Sequence, residues 1–232
     1  MTQTDTSKPL TKTEIKDLQK VIGTFLFYSR AIDNTMAHAL STIASAQSSG
    51  TQKTREAMIH FLNYCATHPE ATVRFRASDM ILKIDSDASY LTESEAQSRV
   101  GGFFYLGDKE NKITINGAIH TIAKIIRNVV SSAAEAEIAG IFTNAKEAVP
   151  IIQTLIEMGH PQPPIEIITD NSAANSILNN SCKQLRSKAI DMRFYWIRDR
   201  IAQKQFILKW KAGIENLADY FTKHHPLHII KK

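Results

Sequence analysis

Cysteine and long apolar runs are scarce in this chain of 232 residues, and each scarcity excludes a class of protein. Cys65 and Cys182 are the two cysteines and stand in no metal-ligand spacing, so we expect free thiols in a reducing compartment. No run approaches the roughly 18 apolar residues of a membrane span, which predicts that the chain has no membrane partner. The polar N-terminus lacks the apolar region of a secretory signal, so we predict that the protein is not secreted.

The net charge of +5 is unevenly distributed along the chain. Residues 81–181 carry 12 acidic and 7 basic side chains, whereas residues 182–232 carry 4 acidic and 12 basic ones. A basic segment that folds beside an acidic one can bind the phosphates of a nucleic acid next to a metal site. A solvated basic surface has the same composition, so the charge pattern alone does not separate the two.

The first third of the chain has the periodicity of helices. We predict a disordered leader over residues 1–11, followed by a helical segment over 12–76. Apolar residues recur at three- and four-residue steps from 13 to 30 and again over 54–67, and a further helix is predicted near 34–46. This segment contains no catalytic motif.

The remainder alternates between β-rich and helical patterns, which predicts an α/β fold. The expected class is a mixed five-stranded sheet flanked by helices, with an N-terminal helical appendage. The predicted strands are 80–90, 99–107, 113–127, 165–169 and 205–211, and the predicted helices are 132–158, 172–179, 187–202 and 215–223.

Four acidic residues stand where strands end or helices begin, namely Asp87, Glu137, Asp170 and Asp219. Ligands in such α/β sheets bind at the carboxyl ends of the strands, so these side chains are expected to lie together. A carboxylate cluster suits hard cations such as Mg²⁺. Two such ions are the usual means of cutting a phosphodiester.

Two of these residues compete with an acidic neighbour. Asp85 lies two residues before Asp87, on the same side of a strand. Glu135 lies close to Glu137, but Ser132 and Glu135 fit a capping box in which Glu135 returns to the backbone N–H of Ser132. This assigns Glu135 to the helix start and leaves Glu137 for metal.

The other two have structural alternatives. Asp170 can act as an N-cap for the helix that follows it, and Asp219 can simply favour a helix start through the helix dipole. The histidines at 224, 225 and 228 form H-H-P-L-H without an acidic or cysteine partner at ligand spacing, so we interpret them as a polar tail. Trp196 and Trp210 are expected in the core rather than as base-stacking platforms.

Five sequence elements, in order from Asp87 to Lys223, carry a resemblance to a known family. They are D-A-S, S-S-A-A-E-A-E-I, T-D-N-S-A, S-K-A-I-D-M-R-F-Y-W-I-R and E-N-L-A-D-Y-F-T-K. Together they resemble the ribonuclease H domain of a copia-type retrotransposon Pol polyprotein. L-Q-K-V-I-G-T-F-L-F-Y-S-R and A-M-I-H-F-L-N-Y-C-A-T-H-P are similar to the thumb-and-connection end of a reverse transcriptase, which precedes that domain.

The resemblance implies a ribonuclease H-like domain over 77–224 and a polar tail over 225–232. It implies cleavage of the RNA strand of an RNA–DNA hybrid with two Mg²⁺ ions, for which Mn²⁺ can substitute. The ions would be held by Asp87, Glu137, Asp170 and Asp219, and Asp87 would bridge them. The candidate hybrid contacts are Asn171, Lys188 and Arg193.

The family context implies a further partner, the polymerase part of a reverse transcriptase, in a cytoplasmic virus-like particle or the nucleus. The chain departs from the family in having Ala189 for the usual His, no His in the loop before Asp219, and no Y-x-D-D polymerase motif. A catalytically inactive nucleic-acid-binding remnant is the alternative function. A resolvase or integrase of the same superfamily is disfavoured by E-N-L-A-D-Y-F-T-K.

Overall fold

The structure is a computed structural model that describes residues 5–93, 96–110, 115–179 and 191–223. Within these ranges a helical unit is followed by a mixed sheet with helices against it. No helix in this part of the chain is both long enough and apolar enough to cross a bilayer.

The helical unit packs three helices around a small apolar core. Thr11 caps the first helix in a capping box with Glu14. Cys65 is a half-buried free thiol next to Met36, whereas Cys182 lies outside the described residues. The helices are α1 (Lys12–Ala31), α2 (Ala37–Ser45) and α3 (Gln52–Thr67), with 3₁₀ turns at Asn34–Met36 and Gln47–Ser49. The core residues are Leu10, Leu18, Ile22, Met36, Leu40, Ile43 and Phe61.

The described end of the expected leader is held against this unit. The backbone N–H of Gln52 donates to the carbonyl of Lys8 at 2.9 Å, and that of Leu10 donates to Gly50 at 2.9 Å. The Leu10 side chain is buried. Residues 8–10 therefore differ from the disordered segment that their polar composition predicted, because one apolar side chain and two backbone hydrogen bonds fix them in place.

Five strands form one sheet in the order β3-β2-β1-β4-β5. The first three are antiparallel neighbours, and β4 and β5 pair in parallel, β4 with β1 and β5 with β4. This confirms the predicted mixed five-stranded sheet. The strands are β1 (Ile81–Ser89), β2 (Ser98–Gly107), β3 (Ala118–Ile126), β4 (Ile165–Thr169) and β5 (Phe206–Trp210).

One long helix, α4 (Ala133–Glu157), packs along β1 and β2, with α5 (Ser172–Leu178) and α6 (Asp191–Ala202) beside it. Its apolar stripe meets the sheet in the main core, where Ile141 and Phe104 are fully buried. On the other face of the sheet α2 packs against β3. The helical unit therefore packs against the sheet.

The helix predicted over 215–223 is wrong. Two 3₁₀ turns, Gly213–Glu215 and Leu217–Phe221, stand there instead. Asn216 between them has an extended backbone (φ −89°, ψ 105°), and its side-chain amide donates to the Ser86 carbonyl at 2.9 Å. A helix through this point would break that bond to β1, so the local helical pattern is overridden by a tertiary contact.

Candidate metal centre

Two neighbouring strands bring Asp87 and Asp170 to the same edge of the sheet. In the parallel register of β1 and β4, Asp85 lies opposite Ile168, so Asp87 and Asp170 are each two residues further on. Asp87 is 2% exposed within β1, and Asp170 follows directly after β4. Parallel strands end at a common edge, which is why this placement was predictable from the pattern.

Glu137 on α4 completes a group of three acidic residues. One carboxylate oxygen from each of Asp87, Glu137 and Asp170 lies within 4.8 Å of the other two. The Glu137 carboxylate accepts from the Ala88 backbone N–H at 3.1 Å and from the Thr169 hydroxyl at 3.4 Å. These bonds fix it between the ends of β1 and β4. We refer to these three residues as the acidic triad.

The acidic triad is electrostatically costly without a cation. Burial, together with the nearby Asp87 and Asp170 carboxylates, raises the pKa of Glu137 to about 9. Burial also raises the pKa of Asp87, against the opposing effects of its bond from Thr222 and the charge of Lys223. Such shifts mean that the site holds protons unless positive charge replaces them.

The structure does not bring the carboxylate of Asp219 into the triad. Asp219 lies in the 3₁₀ turn Leu217–Phe221, where its carboxylate pairs with the ammonium of Lys223. Burial lowers the pKa of Lys223. The bond to Asp219 and the negative charges of Asp87 and Asp170 have a larger combined effect, so the pKa of Lys223 is raised. Asp219 is near enough to act on the pKa of Asp87. Lys223 thus holds Asp219 in an ion pair beside the triad.

Thr222, next to Lys223, binds the triad directly. Its hydroxyl donates to the Oδ2 atom of Asp87, and the side chain is buried. E-N-L-A-D-Y-F-T-K therefore contributes Thr222 and Lys223 as well as Asp219 to this region. No role was predicted for Thr222 or Lys223 from the sequence, although both stand in the motif that carries the resemblance.

Asn171, not Asp170, caps the helix after β4. The Asn171 side chain accepts from the Ala174 N–H at 2.9 Å. This leaves the Asp170 carboxylate to the triad and excludes the alternative in which Asp170 is merely the N-cap. The side-chain oxygen of Asn171 is engaged in this cap, so the hybrid contact expected of Asn171 would be made by its side-chain NH2 group.

Glu135 and Glu137 separate as the capping argument predicted, with one correction. Ser132 is the N-cap of α4, and its hydroxyl accepts from the Glu135 N–H at 3.2 Å. The Glu135 carboxylate accepts from the N–H of Ser131 at 2.7 Å, one residue before the predicted partner. Glu135 still serves the helix start, and Glu137 points into the triad.

Asp85 has a different environment from Asp87. Its Oδ2 atom accepts from the Leu217 N–H at 3.1 Å, and burial raises its pKa to about 6. It is therefore tied to the backbone just ahead of Asp219. Asp87, with its neighbours Glu137 and Asp170, is the strand residue that joins the triad.

Ser86, between the two strand acids, connects the elements that carry the other acids. Asn144 on α4 donates to its hydroxyl at 2.8 Å and to the Gly101 carbonyl at 2.9 Å. Asn216 donates to its carbonyl at 2.9 Å from the segment that carries Asp219. Both asparagines are buried, so these bonds fix α4 and the C-terminal 3₁₀ turn relative to β1.

Adjacent glycines on β2 permit this close packing. Gly101 lies opposite Asp87 in the antiparallel pair. A Cβ at Gly101 would lie 2.5 Å from the carbonyl oxygen of Ala218, and one at Gly102 would lie 2.0 Å from the Asn144 side-chain oxygen. Successive side-chain positions face opposite sides of a sheet, so one glycine admits the 3₁₀ turn and the other admits α4.

The predicted nucleic-acid contacts fall in different surroundings. Arg193 on α6 places its guanidinium 5.7 Å from the ring centroid of Phe142. Lys188 and the three clustered histidines lie outside the described residues.

Trp196 packs on the main core, as expected. Trp210 does not, because it is 52% exposed and its indole N–H donates to the Asp170 carbonyl at 2.8 Å.

Comparisons with known proteins agree with the predicted resemblance. No family model matches the chain. Over 223 residues it is 25% identical to the retrovirus-related Pol polyprotein from transposon TNT 1-94 of Nicotiana tabacum, a match that covers 94% of this chain and 16% of that polyprotein. The chain thus spans about a sixth of its curated relative.

Solved structures that resemble this chain include a viral protease-reverse transcriptase and a ribonuclease H1. A foamy viral protease-reverse transcriptase in complex with dsDNA matches 93% of this chain and 40% of its own, with a TM-score of 0.50 and 12% identity. LC11-RNase H1, isolated from compost by a metagenomic approach, matches 62% of this chain and 93% of its own, with a TM-score of 0.47 and 12% identity. The chain is thus similar in sequence to part of a transposon Pol polyprotein, and in fold to part of a foamy viral protease-reverse transcriptase.

Proposed function

We propose that this chain hydrolyses the RNA strand of RNA–DNA hybrids during reverse transcription of a retrotransposon. The observation that carries the proposal is the acidic triad, which stands at the carboxyl ends of β1 and β4 on a ribonuclease H-like sheet. Similarity to a transposon Pol polyprotein supplies the biological context, because reverse transcription produces such hybrids.

The residues present fit a divalent-metal site. The triad offers oxygen ligands alone, and the raised pKa values of Asp87 and Glu137 mark positions where a hard cation would stabilise the ionised carboxylates. Two Mg²⁺ ions, or Mn²⁺ in their place, would be held by Asp87, Glu137 and Asp170 with Asp219, and would supply an activated water and stabilisation of the leaving 3′ oxygen.

The protein's own groups prepare this site in three ways. Backbone N–H and hydroxyl donors orient Glu137, and Thr222 orients Asp87. Lys223 balances the charge of Asp219. Exchange of that ion pair for a cation would release Asp219 to join the triad, because the ammonium and a metal ion compete for the same carboxylate.

Hybrid recognition would use groups around this edge of the sheet. We propose Asn171, Lys188 and Arg193 as contacts, with 2′-hydroxyl groups in the minor groove distinguishing RNA from DNA. Stacking on Phe142 would hold the guanidinium of Arg193 in one place on α6. The partner would be the polymerase part of the same polyprotein, in a cytoplasmic particle or the nucleus.

A cleavage panel on the purified chain tests the function. One strand would be labelled in each of four substrates: an RNA–DNA hybrid, an RNA duplex, a DNA duplex and single-stranded RNA. We expect cleavage of the RNA strand in the hybrid, with 5′-phosphate and 3′-hydroxyl ends, in Mg²⁺ or Mn²⁺ and none in chelator.

The other outcomes each point elsewhere. Cleavage of a DNA junction or duplex in preference to the hybrid would indicate a resolvase-like or integrase-like enzyme. Binding of the hybrid with no cleavage at any Mg²⁺ concentration would contradict the proposal and favour a nucleic-acid-binding remnant.

A further inference from the structure

Trp210 is placed in an unusual way for the last residue of a strand. Phe206 and Leu208, on the same face of β5, are buried in the main core, whereas Trp210 is 52% exposed. Its single polar atom, the indole nitrogen, already donates to the carbonyl of Asp170. What remains exposed is an oriented apolar ring surface, which neither core packing nor an unmet hydrogen bond explains.

The ring is oriented beside the triad by backbone contacts. The Lys211 N–H donates to the Thr169 carbonyl at 3.0 Å, which ties the chain after β5 to the end of β4. A Cβ at Gly213 would lie 2.8 Å from the Asp170 carboxylate, so the loop passes directly over this triad residue. Trp210 and the loop after it therefore border the place where the reacting phosphate would sit.

We propose that the exposed face of Trp210 is a stacking subsite for a nucleotide that neighbours the scissile phosphate. This inference rests on the proposed function and adds a binding residue to it. Successive nucleotides of a strand are separated by about 3.4 Å along the helix axis. A ring bonded to the backbone of Asp170 is thus within reach of the sugar or base next to a phosphate held at the triad. Aromatic rings bind such groups without regard to base sequence.

A second role for Trp210 would be to position Asp170 through the indole N–H. The two roles predict different results for two substitutions. Phenylalanine keeps an aromatic face and removes the donor, whereas alanine removes both. Stacking predicts that Trp210→Phe retains hybrid affinity within about threefold and that Trp210→Ala weakens it by about tenfold. Positioning predicts equal losses.

Fluorescence gives a readout that does not depend on cleavage. The chain has two tryptophans, so Trp196→Phe leaves Trp210 as the sole indole. The added substitution Asp87→Asn is expected to prevent cleavage during the measurement. Hybrid with a labelled DNA strand would be titrated against this variant, and indole emission and label anisotropy would be recorded in the same samples.

We expect indole emission to change saturably and in parallel with anisotropy. Emission that stays constant while anisotropy reports binding would overturn the subsite and leave the proposed function standing. Absence of binding by both signals would overturn both. Equal losses of affinity in Trp210→Phe and Trp210→Ala would also overturn the subsite.

Met158→Ala provides the matched control for removal of an exposed apolar side chain. Met158 is 62% exposed and follows the last residue of α4, 21 positions after Glu137. At 1.5 Å per residue it lies about 30 Å from the triad along the helix. The hybrid affinity of Met158→Ala should equal that of the wild type. A loss of affinity as large as that of Trp210→Ala would contradict a local role for Trp210.

Discussion

Replacement of Glu137 by glutamine is expected to abolish hybrid cleavage while the metal-free protein stays as stable as the wild type or becomes more stable. Glutamine keeps the shape and can still accept from the Ala88 N–H, and its amide can donate to the Thr169 hydroxyl. It removes a carboxyl group that the folded, metal-free chain must keep protonated beside Asp87 and Asp170, so the cost of holding that proton disappears. It also removes a negative charge that a bound divalent cation would otherwise meet, which weakens the site for that cation.

The pH dependence of stability gives the sign of this effect. The pKa of Glu137 is raised from an ordinary 4.5 to about 9 in the folded chain, so the folded state keeps a proton that the unfolded state loses. The stability linked to the proton on Glu137 is fully present below pH 4.5 and is lost as the pH rises through about 9. In chelator, we expect the wild type to lose stability across this window and Glu137→Gln to show a smaller loss.

Thermal unfolding with and without Mg²⁺ measures both parts of this prediction. Mg²⁺ should raise the melting temperature of the wild type, because it binds the folded state, and this increase should shrink in Glu137→Gln. Glu135→Ala is the matched control on the same turn of α4, with retained cleavage and a loss of about 1 kcal/mol from the helix start. An active Glu137→Gln, or an inactive Glu135→Ala, would reverse the assignment of the helix acid.

Replacement of Arg99 by methionine is expected to destabilise the chain by about 3–5 kcal/mol, because it breaks a buried ion pair on one side. Arg99 has no exposed surface, and its guanidinium donates to Glu93 at 2.8 Å. The other two guanidinium nitrogens donate to the hydroxyls of Ser41 and Thr42 on α2, at 2.9 and 3.0 Å. One side chain on β2 thus joins the sheet to the helical unit.

Denaturant unfolding of three variants separates this network from an ordinary ion pair. Arg99→Met/Glu93→Leu should recover much of the loss, because apolar replacement of a whole buried pair is often neutral. Lys124→Met breaks the exposed pair Lys124–Glu147, which should contribute 1 kcal/mol or less. A loss at Arg99 no larger than that at Lys124 would mean that the helical unit is held by apolar contacts alone.

The parts of the fold that could be predicted from the sequence are those with a local pattern. β-rich segments and turn signals located the five strands, and the parallel pairing of β1 with β4 then brings Asp87 and Asp170 together without further information. Glu137 could be separated from Glu135 because the S-x-x-E pattern assigns one of them to the cap.

The features that could not be predicted depend on contacts between distant segments. Asn216 interrupts a helical pattern because it bonds to Ser86, 130 residues earlier. Arg99 meets Ser41 and Thr42 across 58 and 57 residues, and no local signal marks that pairing. Trp210 was expected in the core, but β5 ends at this residue and its side chain is half-exposed.

The most direct test of the metal-centre assignment compares two substitutions on one face of β1. Hybrid cleavage at saturating Mg²⁺ would be measured for the wild type, Asp87→Asn and Asp85→Asn, each with its melting temperature. Asp87 belongs to the triad, whereas Asp85 bonds to the Leu217 backbone, a bond that an asparagine oxygen can also accept. We predict that Asp87→Asn folds and cleaves no hybrid while Asp85→Asn retains cleavage. Cleavage by Asp87→Asn at the wild-type rate would contradict the assignment.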